Sequence, residues 1–393
     1  MDIACDIAVI GAGPAGLSFA CAIAGSGLDV VLLERAPEES LADPAFDGRE
    51  IALTHRSQAI LQDLGVLDRI PEAARAPMRQ ARVLNGASPF ALSFAPPDHD
   101  GGALGVLVPN HLIRRALWEQ VQATQAARVL AGVAVRSVET APKGGRLVLA
   151  DGRVVTARLV VAADTRMSEA RRQMGIATSM KDFGKSMLVA RVAHEVPHEG
   201  IATEWFGKGQ TVAMLPLAGD VSSIVLTLSA RRIQALMEAT PEAFSAEVTQ
   251  RTERRWGALT LVGTRHAYPL VVSYARRFVG TRFALLGDAA VGMHPVTAHG
   301  FNFGLAGAQR LADSIRGSLA RGRDIADPGG LLRFEMRHRA ATFPLFAATN
   351  AIAGLYTDDR MPARLLREAV LRAGGALTPV RKLIASQLME ARA

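Results

Sequence analysis

Residues 6–35 read DIAVIGAGPAGLSFACAIAGSGLDVVLLER, and few folds admit such a run. Ile7–Ile10 is a short apolar strand. Gly11, Gly13 and Gly16 form G-x-G-x-x-G, and helix-forming residues run from Ala15 to Ala24. Gly27 closes that helix, and Val30–Leu33 is a second buried strand ending at Glu34. The glycines have separate tasks: a tight turn, close approach of a pyrophosphate to backbone, and close helix–strand packing. The pyrophosphate belongs at the helix N-terminus, where unpaired amides and the helix dipole favour an anion. Glu34 lies about 20 residues past the glycines, where an acid takes ribose hydroxyls. Ala15, within the motif turn, and Arg35, after the acid, complete the cofactor-contact set at this end. Strand, glycines, helix, strand and acid in register predict an α/β chain that opens with a Rossmann-like dinucleotide-binding domain.

Which dinucleotide is not decided by this motif, because NAD and FAD share it. Residues 282–305, RFALLGDAAVGMHPVTAHGFNFGL, bear on the choice. An apolar run, Phe283 to Leu286, ends at Gly287–Asp288. His294–Pro295, Gly300 and Asn302 follow, and a helical pattern begins. Taken alone this is any strand–loop–helix turn. Paired with the N-terminal motif it favours FAD, since a second site with a hydroxyl-accepting carboxylate can hold the ribityl chain and flavin. There is no second strand–G-x-G-x-x-G–helix unit. Gly207–Gly209 precedes an apparent strand and reads as a hairpin turn.

Together these residues resemble the single-component flavin-dependent aromatic hydroxylases, the group that includes p-hydroxybenzoate hydroxylase, and within it the ubiquinone-biosynthesis branch. The resemblance covers nearly the whole chain. Asp47–Leu53 (DGREIAL) is similar to the branch's Asp-x-Arg-x-x-Ala-Leu stretch, which places Arg49 near the flavin or its phosphates. Residues 108–117, VPNHLIRRAL, resemble the cofactor-touching helix, with Asn110 and Arg114 as its polar contacts. Asp164, with Arg171 at the expected spacing, falls on the middle motif. Gly287–Asp288 match the Gly-Asp motif, His294–Pro295 the His-Pro beneath the flavin, and Gly300 and Asn302 the Gly-x-Asn. Two departures stand out. Thr165 replaces a glycine, and Thr297-Ala298-His299-Gly300 replaces Ala-Gly-Gln-Gly.

What the resemblance implies is an FAD-dependent monooxygenase. NAD(P)H reduces the flavin, O₂ forms a flavin C4a-hydroperoxide, and an electron-rich ring is hydroxylated. The protein supplies orientation and water exclusion. No catalytic residue is assigned; His294, Pro295 and His299 are the flavin-proximal candidates. No metal is expected, because no His/Cys cluster has ligand spacing, and no G-x-S-x-G follows a strand. A prenylated phenol or quinol suits the apolar residues of the central region, Met187, Val189, Phe206, Met214, Leu215 and Leu226, expected to line one pocket. Two alternatives stay open: a soluble hydroxylase of catabolism or secondary metabolism, and a non-catalytic accessory subunit of a quinone-synthesis complex. A related halogenase is disfavoured, since none of Trp118, Trp205 or Trp256 sits in W-x-W-x-I-P.

At 393 residues, 49% apolar, the chain has room for two units. The expected organisation is a discontinuous FAD-binding domain (1–77, 98–180, 276–330), an inserted β-sheet substrate domain (78–97, 181–275) and a C-terminal helical region (331–393). One helix, about 241–254, should interrupt the central strands, with Thr240 as N-cap and Pro241 at N1. Cys5 and Cys21 read as small buried hydrophobes, and with no disulfide framework and no basic n-region a cytoplasmic protein is expected. The uncharged stretch 340–357 is at the lower limit for a membrane span, but Pro344, Asn350 and Gly354 favour a buried or interfacial helix. The formal charge of +8 is arginine-rich. Residues 365–388 add apolar positions at helical spacing, so a basic amphipathic tail lying on the inner membrane face competes with one packed on the core. Nucleic acid is not expected, for the basic residues are not interleaved with aromatics.

Overall fold

The structure is a computed structural model that describes residues 2–86, 91–96, 102–207, 209–294 and 299–357. Its first sheet is built on β1 (Ile3–Ile10), which pairs in parallel with β2 (Val30–Leu33) on one side and with Val154–Ala162 on the other. Arg128–Leu130 extends the sheet beyond β2, and Phe283–Leu285 extends it beyond Val154–Ala162, both parallel. Ile7, Ala8, Val9, Val31, Leu32, Val160 and Val161 are wholly buried. A strand covered on both faces needs an unbroken apolar run, as these segments have. The helix α1 (Pro14–Ile23) starts with Gly13 at the N-cap and Pro14 in the first turn. Proline suits that place because its missing amide would have no intrahelical partner. A helix over Gly300–Leu319 packs along α1.

The second sheet has the order Val291–Gly292, Leu259–Ala275, Thr178–His194, Val221–Ser229, Gln210–Pro216, Ile201–Gly207, Gln80–Asn85 and Ala91–Phe94. All neighbours are antiparallel except Ile201–Gly207 with Gln80–Asn85. Thr178–His194 runs unbroken across the division expected at 180–181. A three-stranded sheet, Glu50–Leu53, Gly105–Pro109 and Ala76–Met78, sits at the junction with the first.

Side chains alternate across the second sheet with period two. Leu188, Val192, Met214, Leu226 and Trp205 lie under helices Ala230–Glu238 and Pro241–Arg251, packed on Ile233, Leu236, Phe244 and Val248. Met187 and Val189 lie on the opposite face with Leu270 and Tyr268, and Phe206 and Leu215 join a cluster with Ala52 and Met78. The six residues expected to line one pocket therefore divide. Met214 and Leu226 have the parity of Leu188 and support the helices instead.

Two helices, not one, interrupt these strands. Ala230–Glu238 follows Val221–Ser229 directly, with no glycine or proline to mark the change. Pro241–Arg251 begins as its sequence predicts: the Thr240 side chain accepts from the Ala243 amide at 3.2 Å. Cys21 is buried, but Cys5 is only partly so, because β1 is fully covered only from Ile7 onward. The segment 340–357 belongs to a longer helix, Pro328–Thr357. Among the described residues no helix is long and apolar enough to cross a membrane. The amphipathic pattern at 365–388 lies outside the described residues.

Candidate functional site

Four of the sequence-predicted residues stand at the C-terminal ends of adjacent parallel strands. Gly11 follows β1, Glu34 follows β2, Asp164 lies two residues beyond Val154–Ala162, and Gly287–Asp288 come just past Phe283–Leu285. Across the sheet the order is Asp288, Asp164, Gly11, Glu34. Since β1 has its sequence successor on one side and later strands on the other, this row is a topological switch point, where open α/β sheets bind ligands.

The loop after β1 is shaped for close approach. Gly11 has φ +101°, and a β-carbon there would lie 2.7 Å from the Ala163 carbonyl oxygen. A β-carbon on Gly16 would collide with the Gly11 carbonyl oxygen. At Gly13 a β-carbon meets nothing within 4 Å, so that face stays open. Glu34 reaches under the loop: its carboxylate accepts from the Ala12 amide at 2.8 Å and the Ala36 amide at 2.9 Å. Ala15 sits where the Gly287 turn meets the motif, 2.7 Å from a β-carbon built on Gly287. Arg35 is exposed.

A polar group converges beside this loop. The Arg49 guanidinium pairs with Asp47 at 2.6 Å, and the Asn110 side-chain amide donates to the same carboxylate at 2.7 Å. Burial alone would raise the Asp47 carboxyl; the Arg49 hydrogen bond and charge, with Asn110, outweigh it and hold it below its ordinary value. Arg114 stands on the same helix as Asn110, Asn110–Thr124. Burial holds its guanidinium below the ordinary arginine value, and the fields of Asp47, Arg49 and Glu34 all reach it. The charge of Asp288 likewise reaches Arg49. Two arginines between Glu34 and Asp288 suit a diphosphate.

Asp164 is largely buried, and its Oδ1 has no hydrogen-bond partner. Burial raises its carboxyl, opposed by a hydrogen bond from Ser168. Thr165, in the place of the family's glycine, does not need a positive φ; its hydroxyl accepts from the Met167 amide at 3.3 Å. Arg171 is 1% exposed and donates to the Ala289 carbonyl at 2.8 Å and the Arg166 carbonyl at 3.0 Å. It thus ties the middle-motif loop to the Gly-Asp turn. Arg166, which the sequence did not single out, donates to Asp288 at 2.9 Å and to the Val271 carbonyl at 2.6 Å.

At the far end, Gly300 begins the helix Gly300–Leu319. Asn302 is 1% exposed and donates to the Ala52 carbonyl at 2.9 Å, fixing that helix to the strand after Arg49. His294 is buried edge-on against Phe183, with ring centroids 5.1 Å apart. Burial, and secondarily Lys181, pushes its imidazole down to about 4, so it is neutral at physiological pH. His299 is buried against Phe303. Pro295, Thr297 and Ala298 lie outside the described residues. Three further residues were missed: Tyr268, whose hydroxyl donates to the Asp47 carbonyl at 2.6 Å, and the pair Glu50 and Arg191, 2.7 Å apart. Their partners are remote in sequence, so no spacing signals them. The residues present fit a dinucleotide: a cradle that a β-carbon would fill, a buried carboxylate oxygen without a partner, and two arginines within reach of the charges of Glu34 and Asp288. No group of three or more His, Cys, Asp or Glu able to hold a metal occurs among the described residues.

Comparison with known proteins extends this picture. A profile of the FAD binding domain family matches residues 4–339. The ubiquinone hydroxylase UbiM of Neisseria meningitidis is 45% identical over 99% of this chain and 85% of its own. The ubiquinone hydroxylase UbiL of Rhodospirillum rubrum is 33% identical over 99% of this chain and 90% of its own. Among solved structures, the p-nitrophenol 4-monooxygenase PnpA of Pseudomonas putida superposes over all of both chains with a TM-score of 0.78 at 16% identity, a likeness of fold.

Proposed function

The chain belongs to the FAD binding domain family, and from that premise we propose that it is an FAD-dependent monooxygenase that hydroxylates an electron-rich ring in ubiquinone biosynthesis. The observation that carries this reading is the 45% identity to a ubiquinone hydroxylase over 99% of the chain, which takes in the second sheet as well as the cofactor end. Bound FAD supplies the oxygen-activating chemistry, with electrons from NAD(P)H and with O₂ as oxidant. The protein positions. In this reading α1 receives the pyrophosphate at its N-terminus, Glu34 takes the ribose, Arg49, Asn110 and Arg114 stand by the phosphates, and Asp288 accepts from the ribityl chain. Gly300 and Asn302 set the flavin end, with His294 and His299 as buried walls. Asp164 completes the cofactor set.

The division proposed is an FAD-binding domain of 1–77, 98–180 and 276–330, a roof of 78–97 and 181–275, and a helical region over 331–393. The substrate is a polyprenylated phenol or quinol. Apolar residues on the face of the second sheet that carries Met187 and Val189 support that reading, as does the basic composition of the C-terminal region, which would meet the inner face of a membrane or a quinone-synthesis complex. The decisive experiment is mass spectrometry of quinone intermediates in a deletion strain. A precursor lacking a ring hydroxyl should accumulate and disappear on complementation. An unchanged quinone profile would sink the reading in favour of a hydroxylase of catabolism or secondary metabolism. A protein that purifies colourless and does not take up FAD would point to a non-catalytic subunit.

A further inference from the structure

One carboxyl on the second sheet belongs to nothing described above. Glu204 lies in the strand Ile201–Gly207, opposite Val83 on one side and Ala213 on the other. Continuing across the sheet, Ala213 faces Val225, Val225 faces Val189 and Val189 faces His266. Directly paired residues share a face, so Glu204 stands on the face of Met187 and Val189, away from the helices that Trp205 packs beneath. Its same-face neighbours along the strand, Ala202 and Phe206, cluster with Met78, Leu104, Val83 and Leu215. That cluster is closed by Ala52, whose carbonyl holds Asn302 at the flavin end. A carboxyl therefore shares a sheet face with an apolar cluster that reaches the strand gripped by Asn302.

No hydrogen bond or ion pair engages Glu204 among the described residues. Among the described residues of this sheet the ionisable groups on the same face, Arg191, His266, Lys185 and Tyr268, belong to Thr178–His194, beyond two intervening strands, and to Leu259–Ala275, beyond three. The strands beside it present Val83 and Ala213. Burial pushes this carboxyl up to about 8, and among the described residues no neighbouring charge opposes it. It nevertheless retains intermediate exposure. A desolvated acid that no partner repays is what acid–base sites use and what a merely structural position avoids.

We propose that Glu204 is a substrate-contacting residue that accepts the hydrogen bond of the ring hydroxyl and takes its proton during hydroxylation. This rests on the function proposed above, whose oxidant is O₂ with the electrons of NAD(P)H. As the ring carbon takes one oxygen atom of O₂, the other leaving as water with the electrons of NAD(P)H, the substrate O–H bond breaks, its electron pair moves in to form the ring C=O, and the proton passes to a Glu204 carboxylate oxygen. The C–H bond at the oxygenated carbon then breaks, its electron pair restores the aromatic ring and its proton leaves to water, while the proton held by Glu204 returns to the ring oxygen. The surrounding alkyl wall suits the prenyl substituent of the same molecule.

The test uses the FAD-loaded full chain, a phenol carrying one short prenyl chain, and its methyl ether, which has no proton to give. Binding is followed by calorimetry across pH. Wild-type affinity for the phenol should rise as pH increases through about 8, where the carboxylate forms, and affinity for the ether should not. Glu204→Gln should keep its flavin, bind the ether as wild type does, bind the phenol roughly tenfold more weakly, and lose the pH dependence. It should also melt at a higher temperature than wild type above pH 8, because a buried charge is removed. Equal phenol-to-ether preference in wild type and variant, with the pH limb intact in both, would overturn the assignment. If the Glu204-dependent binding holds but wild type never hydroxylates the phenol, the functional reading fails and the contact stands.

Discussion

At the scale of single residues the cofactor loop is governed by backbone clearance. A β-carbon on Gly16 would run into the Gly11 carbonyl, and backbone cannot step aside as a side chain can. On Gly13, at φ −74°, it would meet nothing. The two glycines are three residues apart in one motif, yet alanine should act very differently at each. Gly16→Ala is expected to lower the thermal midpoint of the flavin-free chain, because its clash is within the protein. Gly13→Ala, whose β-carbon enters only the space kept for the pyrophosphate, should melt as the flavin-free wild type does yet purify with less than roughly a tenth of the wild-type flavin, a loss of at least 1.4 kcal/mol in binding. Flavin absorbance per protein and the midpoint of the flavin-free chain measure both, and equal midpoints in the two variants would contradict the clearance argument. The same distinction explains why the sequence identified the cradle well and its surroundings poorly. Glycines, Glu34 and Asp288 announce themselves by spacing. Arg166 and Tyr268 act through Asp288 and Asp47, partners 122 and 221 residues away, and no local pattern records such a pairing.

Among elements, the helices Gly300–Leu319 and Pro328–Thr357 meet where Gly307 faces the His338 ring, 2.9 Å from a β-carbon built there. His338 is 1% exposed, stacks on Phe334 and takes a hydrogen bond from Arg310 at 3.0 Å. Alanine at Gly307 has to push this ring aside, and overpacking of this kind typically costs about 1–3 kcal/mol; urea denaturation should show it. Burial, and then Arg310, pushes His338 down to about 3. The unfolded chain takes up the proton near 6.5 and the folded chain only near 3, so stability should be lost progressively as pH falls below about 6.5. His294 adds to this down to about 4. The thermal midpoint should therefore drop between pH 7 and pH 5, and His338→Gln should flatten only part of the drop. An unchanged slope in that variant would show that His338 titrates normally. The sequence made this region legible as helix but not its neighbour: Pro344 and Asn350 marked 340–357 as no membrane span, whereas the glycine–histidine contact needs both helices in place. Likewise the sequence alone does not separate Met214 and Leu226 from the pocket, because an apolar residue in a sheet covered on both faces does not reveal which face it serves. Only the register to Leu188 decides it.

For the molecule as a whole, the question is what holds the second sheet over the cofactor end, since substrate and flavin must keep one geometry. The pair Glu50–Arg191 spans that junction: Glu50 begins the strand that Asn302 grips, and Arg191 lies in Thr178–His194. Arg191 also lies over Phe46, whose ring stands edge-on to His111 and His266. The Glu50 side chain has no exposure, and one of its oxygens has no hydrogen-bond partner. Burial raises its carboxyl above the ordinary value even with Arg191 opposing. Removing Arg191 leaves this carboxylate in the junction alone, a loss on the order of 3 kcal/mol for a buried pair, reduced here because Arg191 is 31% exposed. Since an unpaired Glu50 can escape only by taking a proton, the deficit of Arg191→Met should grow as pH rises above the ordinary glutamate range and shrink as pH falls. Glu50→Gln removes the charge that needs the partner, so adding it to Arg191→Met should return much of the lost stability. Urea denaturation of the two single variants and the double variant, at pH 6 and pH 8, measures the coupling. If Arg191→Met loses as much stability in the Glu50→Gln background as alone, the ion pair does not join the sheets, and the packing of Arg191 on Phe46 carries the junction instead.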